Sequence, residues 1–144
     1  MDKVYFKELF RGKKLRISHP RLLIYQELSS SEIPLTPREL YEILRKKKRR
    51  VGLTSIYRSL DLFESLGMAF RISKGSNVKY KSCELKNHHH HIVCQSCGKV
   101  VEFECSDLTE WVKWVTESTG YKVTDHQINF LGFCKNCTFP SPKK

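Results

Sequence analysis

The sequence predicts an α+β protein in which a helical part with one β-hairpin precedes a smaller αβ part. Three observations predict this class. Apolar residues recur at helical spacing up to residue 66, two short alternating runs follow around a glycine at 69–82, and all six cysteines lie from residue 83 onward. A chain of 144 residues is long enough for two small domains. We therefore expect one domain over 1–82 and a second over 83–144.

The charge of the chain divides at the same place. Residues 1–82 hold 19 of the 26 Lys and Arg residues and 8 of the 15 Asp and Glu residues, which accounts for the whole net charge of +11. A domain this basic suits a polyanion, because each phosphate that it neutralises releases condensed counterions. A basic face that only keeps the protein in solution is the alternative.

Membrane and secreted classes are excluded by the apolar pattern. No apolar run approaches the roughly 20 residues that span a bilayer. The N-terminal stretch MDKVYFKELFRGKK lacks the apolar segment of a secretory signal. The sequence therefore predicts a cytoplasmic protein without a membrane partner.

The first domain carries clear helix-start signals. Residues 2–11 predict a short helix, and Ser18 can cap a second one. Thr36, Pro37 and Glu39 then predict a third helix, in which the threonine caps, the proline takes the first helical position and the glutamate completes a capping box.

The next helix and the hairpin together predict a winged helix-turn-helix domain. Residues 53–66 carry an apolar stripe at three- and four-residue spacing and end at Gly67. Two short strands around the turn 74–77 would form the wing. Duplex DNA is therefore the predicted polyanion. The opposite face of the helix carries side chains that can reach base edges and phosphates, namely Thr54, Ser55, Tyr57 and Arg58.

Two identical Cys-x-x-Cys pairs, 36 residues apart, predict a structural zinc site. Each pair can turn both sulfurs inward on a tight knuckle, and Gly98 stands where the first knuckle needs a residue without steric limits on φ. Disulfides are the weaker alternative, because nothing directs the chain to an oxidising compartment. Cys105 stands outside the pattern and is expected to be a half-buried thiol. The tetrahedral four-thiolate set that Zn²⁺ prefers would be Cys94, Cys97, Cys134 and Cys137.

Four consecutive histidines precede the first cysteine pair. Side chains of an extended stretch alternate between faces, so alternate histidines would supply two separate sites. A solvated polar loop is the alternative. One set would be Cys83, His89, His91 and Glu102, and the other would be His88, His90 and His126.

The remainder of the second domain predicts a small αβ unit. A helix over 106–119, capped by Ser106, would combine with strands over 99–104 and 126–134. Exposed apolar surface on so small a unit favours pairing with a second copy, so we expect a dimerisation domain. A dimer also suits palindromic DNA half-sites about one turn apart.

In this order the motifs resemble the ferric uptake regulator (Fur) family of bacterial metal-dependent repressors. The segments that carry the resemblance are GLTSIYRSL, HHHHIVCQSCGKVVEF and HQINFLGFCKNC, within a stretch from about Arg16 to Cys137. The resemblance implies an N-terminal winged helix whose recognition helix carries Tyr57 and Arg58, a C-terminal dimerisation domain, and operator DNA as the partner. The positions that resemble the family's backbone-contacting N-terminal region are Lys13, Lys14, Arg16 and Arg21.

The regulatory site distinguishes the branches of this family. Iron- and peroxide-sensing members have an acidic residue where this chain has Cys83, and a histidine in a loop that has none here. A cysteine resembles the zinc uptake regulators, and thiolate with imidazole favours Zn²⁺. Those regulators often add an Asp or His where this chain reads GMAF, so Glu102 is the expected fourth ligand. In the second set a family glutamate is replaced by Thr109, and Glu110, one residue along, is the expected substitute.

These expectations combine into a repressor of metal-uptake genes that binds operator DNA as a homodimer. Regulatory Zn²⁺ would fix the angle between the domains and so the spacing of two recognition helices. A regulator of the same family that responds to iron or to peroxide is the alternative, and its regulatory metal would be Fe²⁺ or Mn²⁺.

Two further classes are less favoured. A zinc hydrolase would need an open metal position and a general base, and the sequence has no HExxH motif. A zinc-ribbon module for protein interactions would leave the charge of residues 1–82 unexplained. We therefore expect neither an enzyme nor a small-molecule substrate.

Overall fold

The computed structural model describes residues 3–85, 87–104 and 107–138. The chain divides into two compact units, Met1–Glu84 and Leu85–Lys144. The longest described helix has 13 residues, and no helix in these ranges is long and apolar enough to cross a bilayer.

Four helices precede the hairpin of the first unit, and their predicted caps are confirmed. At α2, Ser18 Oγ accepts from the Arg21 backbone N–H at 3.4 Å. At α3, Thr36 Oγ1 accepts from the Glu39 N–H at 3.1 Å, while the Glu39 carboxylate accepts from the Thr36 N–H at 2.7 Å. These bonds satisfy donors that helix geometry leaves free. The helices are α1 (Lys3–Gly12), α2 (His19–Ser30), α3 (Pro37–Lys46) and α4 (Leu53–Ser65).

The apolar sides of these helices form one continuous core. Phe6 stacks on Phe10 with ring centroids 4.5 Å apart, and Tyr25 meets Phe63 edge to face at 5.3 Å. All four side chains are buried. Complete burial of an aromatic side chain contributes about 1.5–3 kcal/mol. The core holds α4 with its opposite face exposed to solvent.

The predicted hairpin is formed by β1 (Ala69–Lys74) and β2 (Asn77–Ser82). They pair antiparallel from Ala69 opposite Ser82 to Lys74 opposite Asn77, around a turn in which Gly75 has φ +61°. Leu35 adds a bridge to Tyr80, with N–H···O distances of 2.8 and 2.7 Å. The hairpin is thereby attached to the segment that leads into α3.

The second unit contains a three-stranded mixed sheet. Its strands are β3 (His90–Cys94), β4 (Val100–Phe103) and β5 (Asn129–Gly132), in the order β4-β3-β5. β3 is antiparallel to β4 and parallel to β5. The register places His91 opposite Glu102 on one side and Asn129 on the other.

The helices of this unit differ from the prediction. The helix expected over 106–119 is α5 (Thr109–Thr119), and it ends at Gly120 with φ +74°. Its N-cap is Leu108, which makes no side-chain cap, and the Asp107 Oδ1 accepts from the Thr109 N–H at 2.8 Å. Ser106 and Cys105 lie outside the described residues. A four-residue helix that was not predicted, α6 (Lys135–Thr138), follows Cys134.

The last strand is also shorter than predicted. The expected strand covers 126–134, whereas β5 begins at Asn129, so His126 precedes it. The reason is the length of the neighbouring strand, because β3 offers partners only from His91 to Cys94.

Candidate metal centres and nucleic-acid interface

The four paired cysteines meet where the ends of β3 and β5 lie side by side. The first knuckle closes through a 2.9 Å bond from the Gly98 N–H to the Cys94 carbonyl, and Gly98 has φ +75°. The second knuckle has a 2.8 Å bond from the Cys137 N–H to the Cys134 carbonyl. The four sulfur atoms lie within 4.8 Å of one another, and every described cysteine is a free thiol.

This sulfur arrangement fits a tetrahedral zinc ion. Zinc–sulfur bonds of about 2.3 Å place the sulfurs of a tetrahedron about 3.8 Å apart. The Sγ atoms of Cys97 and Cys134 are 3.8 Å apart. Backbone N–H groups of Cys97 and Cys134 point at the Cys94 sulfur and lower the pKa of that thiol to about 6. Cys94 is thus favoured as the thiolate, the form that binds metal.

A second group joins two imidazoles and one carboxylate of the second unit. The ligand atoms of His89, His91 and Glu102 all lie within 4.8 Å of one another. Cys83, the sulfur ligand predicted for this group, lies at the end of the first unit, where it is buried and its N–H donates to the Met68 carbonyl at 2.8 Å. The Glu102 Oε2 accepts from the Leu85 N–H at 2.8 Å.

Both imidazoles of this group turn Nε2 toward the Glu102 carboxylate. His89 Nδ1 contacts the Asn87 carbonyl at 2.6 Å, which makes Nδ1 the donor and leaves a lone pair on Nε2. That Nε2 is buried without a hydrogen-bond partner among the described atoms. Burial, and then proximity to His89, lower the pKa of His91 to about 4, so His91 is neutral near pH 7. Its Nε2 lies 4.0 Å from Glu102 Oε1.

A third group consists of three histidines on the opposite side of the histidine run. His88, His90 and His126 have ligand atoms within 4.8 Å, and the Nε2 atoms of His88 and His126 form a 2.8 Å hydrogen bond. His90 is buried, and burial, followed by the other histidines, lowers its pKa. Glu110, expected in this set, is not among its members and is exposed in the first turn of α5.

The structure therefore separates the histidines as strand alternation predicts. His89 and His91 belong to one group, and His88 and His90 to another. Occupation of either group by metal remains a prediction. Asn129 is a neighbour that sequence analysis missed, because its bond to His91 depends on the parallel pairing of β3 with β5.

The residues predicted to contact DNA lie in the first unit. Thr54, Ser55, Tyr57 and Arg58 are all exposed on α4. The Arg21 guanidinium donates to the Arg16 carbonyl at 2.8 Å. Lys13 and Lys14 are exposed directly after α1. A groove of about 470 Å³ between the start of α2 and α4 brings four of the predicted residues together, namely Arg16, Arg21, Ser55 and Arg58.

Comparisons with known proteins agree with this architecture. The ferric uptake regulation protein of Campylobacter jejuni is 31% identical over 134 residues, which cover 92% of this chain and 85% of that protein. The Helicobacter pylori ferric uptake regulator, described as having three functional metal binding sites, matches with a TM-score of 0.63 and 25% identity over 96% of this chain and 92% of its own. Holo XcZur matches in fold alone, with a TM-score of 0.76 and 19% identity over 93% of this chain and 94% of its own.

The ferric uptake regulator family itself matches residues 12–131, which span both units. This range includes α4, the hairpin, the histidine run and the first cysteine pair. The chain belongs to the ferric uptake regulator family, whose members are transcription regulators and not enzymes.

Proposed function

We propose that this chain is a metal-dependent transcriptional repressor that binds operator DNA as a homodimer when regulatory Zn²⁺ is bound, and that it controls metal-uptake genes. The observation that carries the proposal is the group of His89, His91 and Glu102, whose ligand atoms lie within 4.8 Å of one another, and we propose that Cys83 supplies the fourth ligand. The name of the Campylobacter jejuni relative, a ferric uptake regulation protein, supports a role in metal uptake.

The donor set of this group favours zinc. One sulfur and two imidazole nitrogens suit Zn²⁺, whereas harder ions such as Mn²⁺ prefer carboxylate and water oxygens. Three of the four donors are therefore of the type that zinc prefers. An iron-responsive regulator is the second candidate, because the same relative is named for ferric uptake.

The position of the ligands along the chain suggests how metal affects DNA binding. Cys83 directly follows β2 of the hairpin, and His89 and His91 lie at the start of β3. A bound ion adds a cross-link among these segments, so the connection 83–91 loses conformational freedom. We propose that this restraint favours the arrangement in which two copies of α4 match the operator. Such coupling is typically about 1–3 kcal/mol, or roughly 5–150-fold in affinity.

The other two groups receive different roles in the proposal. The four cysteines form a closed set without an open position, which suits structural zinc. The three histidines His88, His90 and His126 form an auxiliary site, in which a metal would replace the hydrogen bond between His88 and His126.

Apolar surface of the second unit supports the homodimer. Ile92 lies opposite both Val101 and Phe130 in the sheet, and these three side chains are 40–50% exposed. Trp111 and Trp114 on α5 are more than 60% exposed. We propose that a second copy covers these residues, because patches of this kind mark interaction surfaces.

The test is DNA retardation in buffered Zn²⁺, Fe²⁺ or Mn²⁺, with the metal content measured on the same samples. The probe is a duplex that the zinc-loaded protein selects from a random pool. We expect Zn²⁺ to raise the affinity for this duplex 5–150-fold. Equal affinity with and without exchangeable metal would contradict the proposal, and a response to Fe²⁺ alone would establish the second candidate.

Two substitutions at one position sharpen the test. Cys83→Ser removes the soft donor, so we expect the zinc response of DNA binding to be lost while the zinc of the four cysteines stays bound. Cys83→Asp supplies an oxygen donor and is expected to shift the response toward Mn²⁺ or Fe²⁺. Ser30→Ala is the control, because Ser30 is exposed, lies outside all three groups and lines neither groove beside α4. An intact zinc response in Cys83→Ser would refute the assignment.

A further inference from the structure

The exposed stripe of α4 has a groove on each of its flanks. Successive helical residues are about 100° apart, so Leu53 and Ser55 lie about 160° apart around the axis of α4. Ser55 and Arg58 line the groove described above. Leu53 lines a second groove, of about 550 Å³, against α3. Thr54 and Tyr57 lie between the two flanks.

The second groove is also basic, and no role has been assigned to it. Arg38 and Tyr41 of α3 line it, together with Arg50 from the segment that joins α3 to α4. Glu42 is its acidic lining residue, and Glu42 is engaged by Arg45 at 3.1 Å.

The two arginines of this groove differ from Arg45 and Lys47, two basic neighbours that form ion pairs. Lys47 forms an ion pair with Glu27 at 2.7 Å, and Arg45 pairs with Glu42. In the part of the chain that the structure describes, no ion pair involves Arg38 or Arg50, and both are exposed. Two uncompensated guanidinium groups therefore face the same groove.

We propose that Arg38 and Arg50 bind backbone phosphates of one DNA strand, while the groove with Arg16 and Arg21 binds those of the other strand. The inference rests on the proposed function, because it requires α4 to enter the major groove. A helix with its side chains is about 10–12 Å across and the major groove is about 12 Å wide, so each flank of the helix faces one phosphate chain. Guanidinium groups suit phosphate because they donate two parallel hydrogen bonds.

Phosphate ethylation interference tests the strand assignment on the full-length, zinc-loaded protein and the selected duplex. For wild type we expect ethylation on both strands of a half-site to block binding. Arg38→Gln with Arg50→Gln is expected to abolish interference on one strand only. Arg16→Gln with Arg21→Gln is expected to abolish interference on the opposite strand.

The salt dependence of binding supplies a second measurement. Loss of two phosphate contacts per protomer, which is four per bound dimer, lowers the magnitude of the slope of log K against log [salt] by about 3.6, so between 50 and 200 mM salt the double variant loses about 150-fold less affinity than wild type. Lys113→Gln with Lys122→Gln is the matched control, because it removes two exposed charges of the second unit that line neither groove. Arg38→Lys with Arg50→Lys keeps both charges and is expected to recover the slope. Circular dichroism verifies that each variant is folded.

The outcomes separate this inference from the proposed function. The inference is wrong, while zinc-dependent DNA binding stands, in either of two cases. In the first, Arg38→Gln with Arg50→Gln leaves ethylation interference unchanged on both strands or reduces it equally on both. In the second, this double variant changes the salt slope no more than the control pair does. If wild type binds no duplex, both proposals are wrong. Loss of ethylation interference on one strand only, together with a smaller salt dependence of binding, supports the inference.

Discussion

In the first unit Phe6, Phe10 and Phe63 are completely buried, whereas in the second unit α5 has no buried residue and Trp111 is 69% exposed. The helices of the first unit have 10 to 13 residues, and two of them have side-chain caps. The strands of the second unit have four or five residues. The buried residues of that sheet include two histidines and a cysteine that belong to the candidate metal groups.

This difference indicates that the two units are stabilised by different means. The first unit has enough apolar burial to fold around its own core. The second unit places sulfur and nitrogen atoms where a core would otherwise be, and it leaves apolar side chains exposed. We therefore expect its stability to depend on zinc and on a second copy, since metal binding supplies folding free energy to small domains.

Zinc removal is expected to produce the largest difference in stability between the two units. A chelator under reducing conditions, or Cys97→Ser, should unfold the second unit and leave the first folded, because structural zinc contributes roughly 10–16 kcal/mol. Both tryptophans lie in α5, so their fluorescence reports the second unit alone, while circular dichroism retains the signal of α1–α4. Simultaneous loss of both signals would contradict the comparison.

A substitution in the apolar core should destabilise the first unit. Phe63→Ala is expected to lower the free energy of unfolding of the first unit by about 3–5 kcal/mol, because Phe63 is completely buried between Phe6 and Tyr25. Thermal unfolding followed by circular dichroism measures this loss, and the zinc content should stay unchanged. Ile33→Ala, at a side chain that is 50% exposed, is the control and should change stability by no more than about 0.5 kcal/mol. A matching loss in tryptophan fluorescence would indicate that the units do not unfold separately.

A charge on α5 tests the contribution of the second copy. Trp111→Glu is expected to weaken dimerisation about 30-fold or more, because a buried interface tryptophan contributes about 2 kcal/mol or more. Sedimentation across a concentration series measures the dissociation constant. Tyr121→Ser is the control, since Tyr121 is 77% exposed beyond the end of the helix. An unchanged dissociation constant for Trp111→Glu would place the interface elsewhere.

The smallest effect concerns the capping box of α3. The Thr36 backbone N–H donates to Glu39 and lowers the pKa of that carboxyl from 4.5. Since the folded pKa is the lower one, the ionised group stabilises the first unit above about pH 4.5, and this contribution is lost as the pH falls through the folded value. Glu39→Gln should therefore be less stable than wild type at pH 7, and the difference should shrink below pH 4.5. Glu32→Gln is the control, and a pH-independent difference for Glu39→Gln would contradict the account.

Much of the metal chemistry was predictable before the structure. The Cys-x-x-Cys spacing predicts a knuckle through local geometry alone. The expected residue without steric limits on φ is confirmed, because Gly98 has φ +75°. Strand alternation likewise separates the histidines without knowledge of any neighbour. Glu110 lies outside the three-histidine group, as local helix geometry already indicates, because one residue along α5 turns a side chain by about 100°.

The sequence by itself determined the local features of this protein: the caps at Ser18 and Thr36, the exposed face of α4, the cysteine knuckles and the division of charge. Each of these depends on residues within a few positions of one another, so backbone geometry suffices. Only the tertiary structure decided that Asn129 lies opposite His91, that β5 is just four residues long, and that Arg38 and Arg50 face one groove. Those relations join segments far apart in the chain, and strand register and helix packing set them.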